Sequence, residues 1–163
     1  MSHWLVKSEE SVYSIDMLRR DRFTIWDGVR NYQARNYLRS MKVGDKVLFY
    51  HSNSEPNAVV GLAEIKKVAF ADPSQFDAKS EYFEPKASKE EPRWFCPELK
   101  FVRKFKHSVP LAHLKELPEL KSMVLLQRGS RLSVQPVSDK EFKSILKLAD
   151  EGAEKSECEQ DSN

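Results

Sequence analysis

The 163-residue sequence predicts an α+β fold, in which a curved sheet or small barrel is flanked by helices. Short strand-like runs are interspersed with helical patterns, but strands and helices do not alternate regularly. A doubly wound nucleotide-binding fold is disfavoured, because neither a dinucleotide glycine fingerprint nor a phosphate-loop pattern is present. Hydrophobic residues make up 40% of the chain and charged residues 32%, which is typical of a globular protein.

Local sequence signals place each element along the chain. Ser14 can cap a short helix, and Asp16 lies in the first turn of that helix, where the helix dipole favours an acid. Ser138 and Glu141 form a capping box for the last helix. The predicted elements, in chain order, are a strand at 4–6, a helix at 14–18, a turn at 26–28, a helix at 29–41, strands at 46–51 and 58–70, a polar excursion loop at 72–92, a strand at 99–106, a short helical stripe at 111–117, a strand at 131–137 and a helix that reaches 149.

The charge is distributed unevenly. Residues 150–163 hold one lysine against six acids, a charge of −5, so residues 1–149 must carry +7 to give the net charge of +2. A basic body suggests a polyanionic partner, although a charge of this size can also serve solubility alone. The tail has no apolar pattern, so the sequence predicts a domain at 1–149 and an acidic, disordered tail at 150–163.

No constellation suited to catalysis or to metal binding is found in the sequence. The four histidines and two cysteines lack a paired ligand spacing, and no serine has a nucleophile-elbow context. We therefore expect a non-catalytic protein without a metal or other cofactor. No apolar run approaches the roughly 20 residues that span a bilayer, and no secretory signal is visible. A cytoplasmic protein is expected, with association with the nucleoid, or a nuclear location in a eukaryote, as alternatives.

The segment 26–37 has the greatest density of residues suited to nucleic-acid binding. Trp26 precedes the predicted helix start, where free backbone N–H groups can donate to an anion or a base edge. Arg35 and Arg39 are four residues apart, so an anionic partner would relieve their repulsion. Alternatively, Trp26 anchors the core and the arginines form a solvated face. A second basic stretch lies in the strand at 99–106, where alternation predicts one apolar face formed by Leu99, Phe101 and Phe105.

Six strings of the sequence resemble the EVE domain family. The two most specific are WLVKSE at 4–9 and WDGVRNYQARN at 26–36. Further matches at 44–53, 60–64, 101–105 and 128–134 keep the family order, and the resemblance covers roughly residues 3 to 148.

This resemblance implies a PUA-like fold, with a curved, mostly antiparallel sheet or pseudo-barrel and flanking helices, related to the YTH domains that hold a methylated adenine in an aromatic cage. It also implies a module that binds DNA or RNA and holds a flipped-out modified base, with modified cytosine in DNA favoured. Trp26 is the implied stacking wall. Motifs do not place the second wall, for which the candidates are Tyr32, Tyr82, Phe83 and Trp94. The implied base-binding residues are Trp26, Lys7, Ser8, Gly28, Val29, Arg30, Asn31, His51, Arg131 and Ser133. The predicted phosphate-binding residues are Arg30, Arg35, Arg39, Lys100, Lys104 and Lys106.

Other functions remain open at this point. A PUA-like module could act on tRNA or rRNA. A hydrolase acting on modified nucleic acid could use Asp27 and His51 as acid and base. His51, near the end of an apolar run, is also the kind of histidine that sits in a core with its hydrogen bonds satisfied.

Overall fold

Six strands and four α-helices account for most of residues 2–151, the part of the chain that the computed structural model describes. The helices flank the strands, and three short 3₁₀ turns occupy the connections. The elements are β1 (His3–Glu9), α1 (Ile15–Asp21), β2 (Phe23–Ile25), α2 (Tyr32–Ser40), β3 (Lys46–Ser52), β4 (Ala58–Ala71), a 3₁₀ turn (Pro73–Phe76), β5 (Phe95–Pro110), α3 (Leu111–Leu114), 3₁₀ turns at Pro118–Leu120 and Val124–Leu126, β6 (Val134–Val137) and α4 (Asp139–Glu151).

The strands form one open, curved sheet in the order β2-β5-β4-β3-β1-β6. Each neighbouring pair is antiparallel except β1 and β3, which run parallel. The predicted α+β class and the mostly antiparallel sheet are therefore confirmed. The long antiparallel pair β4 and β5 is the most extensive pairing of the sheet, and short strands form its two edges.

Both predicted helix caps are confirmed. The Ser14 hydroxyl accepts the backbone N–H of Met17 at 3.2 Å. The Ser138 hydroxyl accepts the backbone N–H of Glu141 at 3.2 Å, while the Glu141 carboxylate accepts the backbone N–H of Ser138 at 2.9 Å. These two reciprocal hydrogen bonds are the capping box, which satisfies N–H groups that the first turn of a helix leaves free.

Helix α2 begins three residues later than predicted. The side chain of Asn31 accepts the backbone N–H of Ala34 at 2.9 Å, so Asn31 is the cap and Tyr32 the first helical residue. Residues before the cap are held instead by contacts with the 72–82 region, which override the helical periodicity of the local sequence. The backbone N–H groups expected to be free near Gly28 and Val29 are consequently not those of a helix start.

Several other elements differ from the predictions, most of all β5, which spans Phe95–Pro110 rather than 99–106. Strand β2 was not predicted, because three residues are too few to show alternation. Strand β6 starts at Val134 rather than at 131. Helix α4 continues to Glu151, two residues into the predicted tail, and residues 152–163 of that tail lie outside the described residues.

Two apolar clusters pack on the opposite faces of the sheet, because neighbouring residues of a strand point to opposite sides. Leu99 and Phe101 belong to the cluster beneath α1 and α2, whereas Phe105 belongs to the cluster beneath α4. The prediction that these three side chains share one face is wrong. The pairing of β4 with β5 shifts by one residue between Leu62 and Ala63, and this bulge reverses the alternation along β5.

Candidate base-binding pocket

A cavity of about 500 Å³ lies at the end of β1, beside β2 and the loops that contain residues 26–30 and 81–82. This volume falls in the range of pockets that hold small organic ligands, and a nucleobase fits within it. The structure brings seven of the ten predicted base-binding residues to its lining: Lys7, Ser8, Trp26, Gly28, Val29, Arg30 and Ser133.

The Trp26 indole is half-buried, with part of the ring packed against the core and part lining the cavity. Its ring packs edge-to-face on Phe49, with the ring centroids 5.5 Å apart and the planes at 82°. The Trp26 backbone N–H donates to the Pro97 carbonyl oxygen at 2.9 Å, which fixes the position of the residue next to β5. The ring is thus anchored on one side, while it contributes to the cavity wall on the other.

Two further aromatic side chains line the cavity: Tyr82, from the polar excursion loop, and Tyr13, from the segment after β1. Gly28 has a φ of +79°, and a Cβ atom at this position would lie 2.8 Å from Cε2 of the Tyr82 ring. Glycine is required here both by the left-handed backbone and by the close approach of the ring. Of the other candidates for a second wall, Tyr32 stacks on Trp94 at 4.8 Å and Phe83 does not line the cavity.

Arg30 joins the Trp26 loop to the Tyr82 loop. Its Nη2 and Nε atoms donate to the Tyr82 carbonyl oxygen at 2.7 and 3.2 Å, and Nη2 also donates to the Ser74 hydroxyl at 3.1 Å. Its Nη1 atom donates to the Asp72 carboxylate at 3.1 Å and to the Val29 carbonyl oxygen at 3.0 Å. The five N–H groups of a guanidinium are accounted for by these five contacts. The phosphate-binding role predicted for Arg30 does not fit this geometry, since no donor remains for a phosphate.

Asp72 is the buried acceptor that organises this corner of the cavity. Its side chain has no exposed surface, and it accepts the Gly28 backbone N–H at 2.8 Å as well as the Ser74 backbone N–H at 2.8 Å. Burial raises the pKa of Asp72, but the hydrogen bonds from Ser74, Gly28 and Arg30 outweigh burial and leave the pKa below its usual value. Asp72 therefore stays ionised and holds Gly28 and Arg30 in place.

Three predicted base-binding residues lie off the cavity lining. Asn31 caps α2, and Arg131 is exposed in the segment before β6. His51 is buried on β3 and its Nε2 atom accepts the Ile15 backbone N–H at 3.1 Å, beside a separate cavity of about 460 Å³. The alternative interpretation of His51, as a core histidine with its hydrogen bonds satisfied, describes its position.

Two side chains of opposite charge line the cavity without an ion pair. Lys7 is half-buried on β1, and burial lowers the pKa of its ammonium group. Burial raises the pKa of Asp27, and the negative charge of Asp72 raises it further. Neither side chain forms a hydrogen bond or an ion pair with another of the residues 2–151. The sequence pattern drew attention to Asp27 only as a candidate acid or base for hydrolysis.

The predicted phosphate-binding residues are not equally available. Arg35 donates to the Arg93 carbonyl oxygen at 3.0 Å, and Lys104 pairs with Asp16 at 3.1 Å. Arg39 lies over the Phe95 ring at 4.4 Å. Lys100 and Lys106 are exposed on β5, and within residues 2–151 they have no acidic partner. Lys100 pairs in register with Phe23, one position from Thr24, which lines the cavity.

Metal-binding and membrane-spanning features are both missing from residues 2–151. No cluster of three or more histidine, cysteine, aspartate or glutamate side chains is placed to hold a metal ion within this range. None of the helices described there has the length and apolar character needed to cross a membrane.

Proteins of known sequence or structure resemble this chain over most of its length. The family model described as the EVE domain matches residues 2–148. Human thymocyte nuclear protein 1 is 40% identical over 166 residues, which cover 90% of this chain and 73% of that protein. A crystal structure of the human protein in complex with DNA containing 5-methylcytosine has a TM-score of 0.85 at 40% identity, and the match covers 91% of this chain and 98% of that one.

Solved structures from distant organisms are equally similar. A protein from Leishmania major has a TM-score of 0.87 at 48% identity, with 91% of this chain and 94% of that chain covered. A protein from Pseudomonas syringae has a TM-score of 0.87 at 43% identity, with 90% of this chain and 99% of that chain covered. Because the family model and these relatives span nearly all of residues 2–148, the chain belongs to the EVE domain family.

Proposed function

We propose that this chain is a non-catalytic module that binds DNA and holds one flipped-out modified cytosine, 5-methylcytosine, in the cavity beside Trp26. The observation that carries the proposal is the 500 Å³ cavity, to which Trp26 and Tyr82 both contribute. The human relative, which is 40% identical and has the same fold, was crystallised with DNA that contains 5-methylcytosine. In this proposal, residues 1–149 constitute the DNA-binding domain. The protein acts in the compartment that contains the cell's DNA.

The energies of the individual steps are compatible with this function. Extruding a base from a duplex costs a few kcal/mol. Stacking of the base on Trp26 returns about 1–3 kcal/mol, and phosphate contacts from exposed lysines such as Lys100 and Lys106 add a salt-dependent contribution. The net affinity therefore depends on both the pocket and the backbone contacts.

Discrimination between methylated and unmethylated cytosine requires contact with the added methyl group. Val12, Ile25 and Val29 contribute apolar side chains to the lining, where a base methyl group can be buried. Burying one methyl group contributes about 0.8 kcal/mol, which corresponds to about a fourfold change in affinity. A moderate preference, rather than absolute selection, is the expected behaviour of such a pocket.

The absence of catalysis in this proposal is supported by the state of the reactive groups. Burial raises the pKa of the Cys96 thiol to about 12, so almost no thiolate forms at neutral pH. His51 uses Nε2 to accept a backbone N–H and lies beside a different cavity from Asp27, so the two cannot act as a pair. Turnover of a 5-methylcytosine oligonucleotide that is abolished by Asp27→Asn would contradict the non-catalytic assignment.

Fluorescence anisotropy with matched oligonucleotides tests the function. The targets are a DNA duplex with one 5-methylcytosine, the same duplex with cytosine, and an RNA of the same sequence, all at one salt concentration. The proposal predicts that the methylated duplex binds about fourfold or more tightly than the unmethylated duplex, and more tightly than the RNA. Equal affinity for the two duplexes would contradict the reading of the methyl group, and preferential binding of the RNA would favour an RNA-binding module.

A further inference from the structure

We propose that Asp27 distinguishes 5-methylcytosine from thymine, by accepting a hydrogen bond from the exocyclic amino group at position 4 of the base. This inference rests on the proposed function and assigns a specificity-determining residue to it. Asp27 provides an acceptor in the cavity, and Lys7 provides the complementary donor.

Thymine is the competitor that a reader of 5-methylcytosine must exclude. The two bases have the same ring size and carry the same methyl group at position 5. Stacking on Trp26 and burial of the methyl group against apolar side chains therefore stabilise both bases to a similar extent. The groups that differ are at position 4, where cytosine has an amino group and thymine a carbonyl oxygen, and at N3, which accepts in cytosine and donates in thymine.

Asp27 offers an acceptor on the wall of the cavity. It follows Trp26 directly in the chain and lines the same cavity. Its carboxylate forms no hydrogen bond or ion pair with another residue of the described range 2–151, whereas the acceptors of nearby Asp72 are used by Gly28, Arg30 and Ser74. An ionised carboxylate can only accept hydrogen bonds, so it favours an amino group and repels a carbonyl oxygen.

The electrostatic environment strengthens this preference. Burial raises the pKa of Asp27, and the negative charge of Asp72 raises it further. A hydrogen bond from the Asp27 backbone N–H and the positive charge of Arg30 lower the pKa by smaller amounts. A more basic carboxylate is a better acceptor for the amino group of the base. A carbonyl oxygen in the same place would face the carboxylate with no proton between the two oxygens, and because Asp27 is exposed, solvent moderates this repulsion.

Within the described part of the chain, Lys7 is a second unpaired charged side chain in the lining of the same cavity. Its ammonium group is half-buried, has no acidic partner among residues 2–151 and can only donate. One acceptor and one donor match the edge of cytosine, whose amino group donates and whose N3 accepts. Thymine presents these functions in reverse order at positions 4 and 3. Thymine could satisfy both side chains only in a shifted position, different from the one that 5-methylcytosine takes.

Competition between 5-methylcytosine and thymine in otherwise identical DNA tests the inference. The target base is placed opposite an abasic site, so that the cost of extrusion does not depend on base pairing. Affinities of the wild-type protein and of Asp27→Asn are measured by anisotropy for 5-methylcytosine, cytosine and thymine at this position. Asp77→Asn is the matched control, because Asp77 lies off the cavity and accepts the Lys79 backbone N–H at 2.9 Å, a bond that asparagine can also accept.

We expect the wild-type protein to bind 5-methylcytosine at least about tenfold more tightly than thymine, which corresponds to about 1.4 kcal/mol. Asp27→Asn should reduce this ratio to less than about threefold, because an amide can rotate and donate to the thymine carbonyl oxygen. Asp77→Asn should leave the ratio unchanged. An unchanged ratio in Asp27→Asn, or an equal loss of affinity for both bases, would overturn the inference. If the wild-type protein does not prefer 5-methylcytosine to cytosine, the proposed function itself fails, so the two failures are distinguishable.

Discussion

The Tyr82 ring lies directly against Gly28, so close that a Cβ atom on residue 28 would be 2.8 Å from Cε2 of the ring. The two residues are far apart in the chain, and Arg30 and Asp72 hold them together. The Tyr82 ring is therefore positioned by a contact that a Cβ atom on residue 28 would displace.

Gly28→Ala should weaken binding of 5-methylcytosine DNA, because the added methyl group displaces Tyr82. A left-handed backbone costs alanine about 1–2 kcal/mol in addition. Gly129→Ala is the matched control, since Gly129 has a φ of +77° but no atom lies within 4 Å of the place that a Cβ would take. Both variants should lose stability to urea denaturation through this backbone effect, while Gly28→Ala alone loses affinity. Equal affinities of the two variants would contradict a role for Tyr82.

Arg30→Gln should lower stability without changing the salt dependence of DNA binding. The substitution removes hydrogen bonds that join two loops and leaves the buried Asp72 without its cationic partner, at a cost of about 1–3 kcal/mol. The slope of log K against log salt should stay the same, because the Arg30 donors are used within the protein. A slope reduced by about 0.9 with unchanged stability would restore the phosphate-binding role that the sequence suggested.

Lys100→Gln and Lys106→Gln should each reduce the slope of log K against log salt by about 0.9, because each removes one phosphate contact. Lys104→Gln serves as the control on the same strand and changes the net charge equally. Its ammonium group is paired with Asp16 at 3.1 Å, so we expect a smaller change in slope. The same change in slope for all three variants would indicate that only net charge matters.

The free energy of unfolding should rise with pH as His51 titrates. Burial lowers the pKa of His51 from 6.5 in the folded protein, against smaller opposing effects of Glu10 and Asp16. The unfolded state therefore binds more protons between the folded pKa and 6.5, and stability is lost as the pH falls through this range. Urea denaturation from mildly acidic to mildly alkaline pH should show this loss in the wild-type protein and a weaker one in His51→Gln. An identical pH dependence of the free energy of unfolding in His51→Gln would contradict a lowered pKa of His51 in the folded protein.

Features that depend on neighbouring residues in the chain were predictable from the sequence. The caps at Ser14 and Ser138 need only residues three positions away, and both predictions are confirmed. The EVE domain strings likewise identified the Trp26 loop, and seven of the ten implied residues line one cavity. The helix caps and a long, specific motif each lie within a contiguous stretch of sequence, so both can be recognised from the sequence alone.

Features set by distant contacts were not predictable. Arg30 is bonded to Asp72 and to Tyr82, 42 and 52 residues away, so its donors are used within the protein, in the segment that precedes the start of α2. Tyr82 could be named only as one of four aromatic candidates, because its loop has no periodicity. The bulge that separates Phe105 from Phe101 depends on pairing between two strands, which the pattern of one strand does not contain.

Stacking of an extruded base on the indole of Trp26 underlies every proposal made for this pocket, and Trp26→Ala with two readouts decides whether it occurs. Phe83→Ala is the control, because Phe83 is an exposed aromatic residue off the cavity. Loss of stacking should weaken binding of the 5-methylcytosine duplex by about 5- to 150-fold, the equivalent of about 1–3 kcal/mol. Since the ring is half-buried, the variant should lose less stability than the about 3–5 kcal/mol typical of a fully buried tryptophan. A variant that unfolds without a separable binding defect, or that binds the duplex as tightly as the wild-type protein, would contradict base stacking on Trp26.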